Sequence, residues 1–190
     1  MQGEAIKKTI EELLRAPAEL RNKLPRALKE VSEYGIGETL KENPDFLLRL
    51  LMSLRKADAA RIFTQLSKEG DQISDLLWGG IDSQAERSHS MKSLLMKAER
   101  DIHVNIEASD SPFQCHFIVE KGKITGGCGL LPFKDEDFRF MGPTETLMGL
   151  FIGDLSLGFS NLQLQTAGHS GWMSRVGPIM REVSKLLKGN

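Results

Sequence analysis

At 190 residues the chain can bury one large core or two small ones. Its formal charge of −1 and pI near 6.4 exert no net pull toward nucleic acid or anionic membrane. No apolar run approaches the roughly 20 residues that cross a bilayer, and Met1 to Arg15 lacks the apolar stretch and cleavage site of a secretory signal. A cytoplasmic protein without a transmembrane segment is therefore expected.

Composition changes along the chain. Residues 1–100 hold 6 of the 18 glycines and 2 of the 9 phenylalanines, and Lys plus Arg divides 17 to 8 across that point. A charged, helical region over residues 1–82 and a glycine-punctuated α+β region over 83–190 are expected.

The helical region reads as a succession of short helices. Ile6, Ile10, Leu13 and Leu14 form one stripe, stopped near Pro17; Leu20, Leu24, Leu28 and Val31 form a second, ended by Gly35 and Gly37. Pro25 is expected to kink or divide that second helix. Asn43-Pro44-Asp45 is a start signal with a capping side chain, proline and an acid at the positive helix end. The next helix, Phe46 to Leu54, has little polar face. It is expected either at the centre of its own bundle or on a partner or membrane surface. Asp58 is expected to cap a helix through Leu66 that ends at Gly70, and Ile73 to Trp78 a short helix stopped by Gly79-Gly80. Ser83 and Glu86 have capping-box spacing before a helix carrying Met91, Leu94, Leu95 and Ala98.

The periodicity then shortens to two. Ile102, Val104 and Ile106 alternate with His103, Asn105 and Glu107, and Ser109 to Pro112 is a turn. Phe113 to Glu120 and Ile124 to Leu130 are strands joined tightly through Lys121-Gly122-Lys123, hence antiparallel neighbours. A charged loop, Lys134 to Asp137, leads into Phe138-Arg139-Phe140. A helix from Thr144 to Ile152 ends at Gly153, followed by the apolar stretch Leu155 to Phe159, a strand at Leu162 to Gln165 and a last helix bearing Ile179, Met180, Val183, Leu186 and Leu187. Strands and helices in that succession, with few charges, describe an antiparallel sheet covered by helices.

Residues that carry chemistry have simpler readings here. Gly168-His169-Ser170-Gly171 is out of frame for a nucleophile elbow, and Ser170 is read as a helix cap. His103 and His116 are expected on one sheet face, with Cys115 and Cys128 on adjacent strands. The cysteines are read as two buried thiols, a bridge being the alternative. No paired-histidine or Cys-x-x-Cys spacing is present, so no metal site and no cofactor are expected. Asp135-Glu136-Asp137 reads as a solvated loop, and Gly126-Gly127-x-Gly129 as close backbone packing rather than a phosphate loop. Basic residues in the N-terminal half are interleaved with nearly as many acids, so no nucleic-acid groove is expected.

The order of elements from Asp101 to Leu187 resembles the sterol carrier protein 2 (SCP2-like) domain. The resemblance is carried by the strands around Lys121-Gly122-Lys123 and by the passage from Asp137-Phe138-Arg139-Phe140 through Glu145, Leu147 and Leu150 to Gly153. It continues in Leu162-Gln163-Leu164, Gly168 and the final helix. The chain departs from the family pattern at Ser160-Asn161 and His169, and at Gly177-Pro178, which is expected to interrupt the last helix. The resemblance implies a five-stranded, mainly antiparallel sheet with helices over one face, preceded here by the all-helical region. It also implies an apolar tunnel for a lipid, fatty acyl or isoprenoid ligand, and no catalysis. The residues expected to line the tunnel are Phe138, Phe140, Leu147, Leu150, Phe151, Leu155, Phe159, Leu164, Trp172, Met173, Val176 and Met180; for Trp172 and Met173 a buried capping role is equally open. The second reading is a scaffold or regulatory protein with a self-filled core, whose helical region binds a partner, most simply as a homodimer through Phe46 to Leu54.

Overall fold

The computed structural model describes residues 2–154 and 163–188, the side chains of Gln2, Ser170 and Trp172 excepted. Within them, a five-stranded sheet ordered β3-β2-β1-β4-β5 is covered on one face by helices. The strands are β1 (Ile102–Ala108), β2 (Gln114–Glu120), β3 (Lys123–Cys128), β4 (Phe138–Gly142) and β5 (Gln165–Gly168). All pairings are antiparallel except β1 with β4. This is the α+β class expected, with an all-helical N-terminal part. β5 begins later than its alternation suggested, and Leu162 lies outside the described residues.

Alternation sorts the sheet into two faces. Ile102, Val104 and Ile106 of β1, Cys115, Phe117 and Val119 of β2, and Phe138 and Phe140 of β4 are buried toward the helices. His103, Asn105, Glu107, His116 and Arg139 occupy the outer face. Tight turning at Lys121 (φ 52°) and Gly122 (φ 76°) places β3 beside β2. The chain then crosses back along the outer face, through residues 129–137, to enter β4 parallel to β1.

Before the sheet come α1 (Gln2–Arg15), α2 (Leu20–Tyr34), α3 (Ile36–Glu42), α4 (Phe46–Lys56), α5 (Ala59–Gln65), α6 (Ser67–Ala85) and α7 (His89–Met96). α8 (Thr144–Ile152) follows β4, and α9 (Ser170–Leu187) follows β5. Their buried apolar residues form one cluster with those of the sheet.

Several helix boundaries differ from the local signals. α2 continues through Pro25, and α9 through Gly177-Pro178. Both helices bury a full apolar stripe, which outweighs a missing backbone bond at each proline. Asn43 ends α3, its amide donating to the Thr39 carbonyl at 3.5 Å, and α4 starts after Asp45. Asp58 caps α5 as expected, accepting the Arg61 N–H at 3.2 Å.

The largest difference is α6, a continuous helix of 19 residues through Gly70 and Gly79-Gly80. Here glycine permits close approach. A Cβ on Gly80 would stand 2.4 Å from Leu47 Cδ1 and 3.1 Å from Leu40 Cδ1, while Phe63 lies against Gly70. Ser83 consequently sits inside α6. The next helix is capped by Ser88, whose hydroxyl accepts the Met91 N–H at 3.2 Å.

The apolar character of α4 is spent within the chain. Phe46, Leu47, Leu50, Leu51 and Leu54 are buried, and only Met52 is substantially exposed. That packing removes the apolar face on which dimerisation through Phe46 to Leu54 would rely. No described helix is long and apolar enough to cross a membrane.

Candidate functional site

The described residues expected to hold a ligand lie on β4, α8, α9 and the segment just before β5. β4 turns Phe138 and Phe140 inward, their rings edge to face at 4.9 Å between centroids. Gly142-Pro143 then stops the strand. Asp110, from the β1–β2 turn, caps α8: its Oδ1 accepts the Thr144 N–H at 2.8 Å and the Thr144 hydroxyl at 2.6 Å. Ser111 adds a hydroxyl contact to Thr144 at 2.7 Å.

This cap starts a helix whose residues 146–152 are all buried. A helix apolar all round has no solvent face to spare. α8 meets β1 and β4, α4 and α5, and α9, so the N-terminal helices provide cover that the sheet alone lacks. Gly153 ends α8 in the left-handed region (φ 75°), and a Cβ there would stand 2.4 Å from Ser184 Oγ on α9.

Leu147 and Phe151 are fully buried and Leu150 is 4 % exposed; Val176 and Met180 of α9 and Leu164 before β5 are also buried. Met173 is exposed at 36 % in the first turn of α9. Leu155, Phe159 and the Trp172 side chain lie outside the described residues. Phe151 extends the apolar layer toward the middle of the sheet, meeting Trp78 at 5.7 Å in an edge contact; Trp78 in turn packs on Phe117 at 4.9 Å. The described candidates are apolar, so between them they offer no acid, base or nucleophile.

Beside this layer is a polar cleft of about 320 Å³ lined by Arg55, Asp58, Asp110, Glu145, Thr146, Asp154 and Gln163, among others. Arg55 Nη1 donates to Asp154 Oδ2 at 3.1 Å, and Nη2 stands 3.7 Å from Glu145 Oε1. Its Nε is buried with no hydrogen-bond partner among the described residues. The cleft joins α4 and α5 to the ends of α8, and Arg55 and Asp154 are 99 positions apart. No local pattern announces such a pairing. The only early signal was the Asp58 helix cap.

The remaining chemical candidates have structural duties. His103 and His116 share the outer face, diagonal across β1 and β2; His116 Nδ1 bonds the Gly129 carbonyl at 3.0 Å. The acidic loop is solvated only at Asp135. Glu136 accepts from Asn105 at 2.6 Å and from Arg139 at 2.8 Å, and Asp137 accepts the His103 N–H at 2.9 Å. His169, not Ser170, caps α9, its Nδ1 accepting the Gly171 N–H at 3.2 Å. The close packing expected of the Gly126 run is present: a Cβ on Gly126 would stand 2.4 Å from the His116 carbonyl oxygen and 2.7 Å from Trp78. Among the described residues no three acids, histidines or cysteines gather as metal ligands would.

No family model and no curated protein matches the chain. Solved structures do. A UbiJ-SCP2 ubiquinone synthesis protein is 14 % identical with a TM-score of 0.43, over 60 % of this chain and 93 % of that one. Sterol Carrier Protein 2 from Yarrowia lipolytica, in its apo form, is 16 % identical with a TM-score of 0.39, over 60 % of this chain and 89 % of that one. The stereoselective inverting sec-alkylsulfatase Pisa1 from Pseudomonas sp. is 9 % identical with a TM-score of 0.41, over 94 % of this chain but 29 % of that one.

Proposed function

We propose that the chain binds or carries a hydrophobic ligand, of lipid, fatty acyl or isoprenoid class, without transforming it. The ligand is held in an apolar tunnel between sheet and helices, lined by the candidates of β4, α8 and α9 together with Leu155, Phe159 and Trp172. The supporting observation is that Phe138, Phe140, Leu147, Leu150, Phe151, Leu164, Val176 and Met180 are all buried in the apolar cluster that sheet and helices share. Such a cluster recognises length and shape through area removed from water, about 25 cal/mol per Å². In this reading residues 83–190 hold the ligand, and residues 1–82 cover α8 and present a surface to other proteins.

The test is native mass spectrometry of the purified chain, then organic extraction and lipid analysis. A near-stoichiometric hydrophobic ligand supports the proposal. Affinity across an acyl series is expected to rise about fourfold per methylene, from roughly 0.8 kcal/mol each. Leu150→Glu is expected to abolish uptake while folded protein remains.

A second reading has its own supporting observation. The eight buried candidates are 0–8 % exposed and already in contact with protein, as in a domain filled by its own side chains. This reading makes the chain a scaffold or regulatory protein with a partner-binding helical region. A protein that stays empty against fatty acids, acyl-CoAs and quinones, and that Leu150→Glu unfolds outright, favours it.

A further inference from the structure

Cys115 and Cys128 are directly opposed across β2 and β3, and both are free thiols. Their position in the ladder is the informative part. The next pair, Gln114 and Gly129, is hydrogen-bonded, the Gly129 N–H donating to the Gln114 carbonyl at 3.0 Å. Antiparallel pairs alternate, so Cys115 and Cys128 form a non-hydrogen-bonded pair, the closer of the two kinds at about 4.5 Å between Cα atoms. The Cys128 N–H confirms this by turning away from β2 to donate to Asp75 Oδ1 of α6 at 2.8 Å. A disulfide spans Cα separations of about 4.4–6.8 Å, and one formed at the short end is strained and easily reduced. Side chains opposed on two strands share a face, so both sulfurs point the same way.

Access differs between the two. Cys115 is fully buried near Trp78, whereas Cys128 is half-buried on the edge strand. Cys128 is the partly exposed member of the pair and Cys115 the shielded one. A partly exposed thiol beside a shielded one is the pairing in which a first-oxidised sulfur is resolved by its neighbour. Burial and the Asp75 carboxylate hold the pKa of the Cys128 thiol above its ordinary value, so oxidation is slow and quickens as pH rises.

We propose that Cys115 and Cys128 are a redox-sensitive pair, converted by a hydroperoxide into a reversible cross-strand disulfide. The Cys128 sulfur attacks the peroxide; the O–O bond breaks, Cys128 becomes a sulfenic acid, and the released proton ends on the departing alcohol or water. The Cys115 sulfur then attacks the Cys128 sulfur. The S–O bond breaks, the S–S bond forms, and water leaves with the Cys115 proton. Two thiols lose two electrons in all and one peroxide is reduced. A dithiol reverses the change. The pair needs no ligand in the apolar layer, so its test stands apart from that of ligand binding.

The test uses the full chain, reduced and folded, treated with a few equivalents of hydrogen peroxide. After acid quenching, intact mass and non-reducing peptide maps are read. The expected product is a monomer lighter by two hydrogens, with Cys115 and Cys128 peptides linked and the starting mass restored by dithiothreitol. Cys115→Ala, which leaves one cysteine in the chain, is expected to abolish the intrachain bridge and to leave a Cys128 sulfenic acid that dimedone captures. The proposal is overturned if Cys128 proceeds to sulfinic acid, or links two chains, while Cys115 stays free. Bridging that occurs only in denaturant overturns it equally, and the wild-type experiment needs no variant to fold.

Discussion

The two faces of the sheet are held by different physics. On the inner face, large apolar side chains fill space left by glycine: Trp78 of α6 lies over Gly126 of β3, between the rings of Phe117 and Phe151. On the outer face the chain segment 129–137 is tied by hydrogen bonds. Asn105, completely buried, donates to the Leu131 carbonyl at 3.1 Å, accepts the Leu131 N–H at 2.8 Å and donates to Glu136 at 2.6 Å. A buried amide in an apolar site would be costly, but here each polar end has a partner. The comparison teaches that burial depth alone does not measure a residue's contribution. Shape complementarity carries the inner face and polar satisfaction the outer one.

Truncation at the centre of the inner face should be the most damaging change. Trp78→Ala is expected to cost about 3–5 kcal/mol, measured by urea denaturation. Trp78→Phe should cost only a small fraction of that, because among the described residues the buried indole N–H makes no hydrogen bond of ordinary geometry. Equal losses for the two variants would break the shape-based account.

Asn105→Ala should come next, at about 2–3 kcal/mol, since removing the amide leaves buried partners unpaired. Hydrogen exchange should then quicken at Leu131 while the core of β2 stays protected. A uniform loss of protection would show that the outer segment and sheet open together. Arg139 bridges Glu136 and Glu107 at 2.8 and 2.9 Å with a side chain 20 % exposed. Arg139→Met should cost about 1–2 kcal/mol, because it leaves the Glu136 carboxylate, 8 % exposed, without its cation.

The smallest effect has the opposite sign. Burial, then repulsion from Glu86, raises the pKa of Asp82, which also sits in the last turn of α6 at the negative helix end. The folded chain holds that proton more tightly than the unfolded chain does. Its contribution is thus fully favourable below the ordinary carboxylate pKa and is lost as pH rises through the raised value. Asp82→Asn should stabilise the protein at neutral pH by about 0.3–1 kcal/mol. The advantage should vanish in acid; a gain that persisted there would assign the effect to something other than ionisation.

Much of the C-terminal region was legible residue by residue. Alternation placed Ile102, Val104 and Ile106 on one face, Lys121-Gly122-Lys123 announced the hairpin, and Gly153 marked the end of α8. These are local facts, because a strand's period and a glycine at positive φ act within a few residues. Phe138, Phe140, Leu147 and Phe151 came as candidates with the resemblance to the SCP2-like domain, and all four are buried. The polar cleft was not legible, since Arg55 and Glu145 meet only through the packing of α4 and α5 on α8.

What the sequence determined by itself was the class of structure: helices first, then an antiparallel hairpin, then a strand, an apolar helix and a final amphipathic helix. Each rests on propensity and periodicity, which neighbouring residues supply. Tertiary structure decided where helices really stop and what polar residues are for. Gly70 and Gly80 look like terminators until Phe63, Leu40 and Leu47 are seen filling the space beside them. Asn105 looks like an exposed strand residue until Leu131 and Glu136 close over it. In each case the determining partner is distant in sequence, and its energy exists only after the chain has folded.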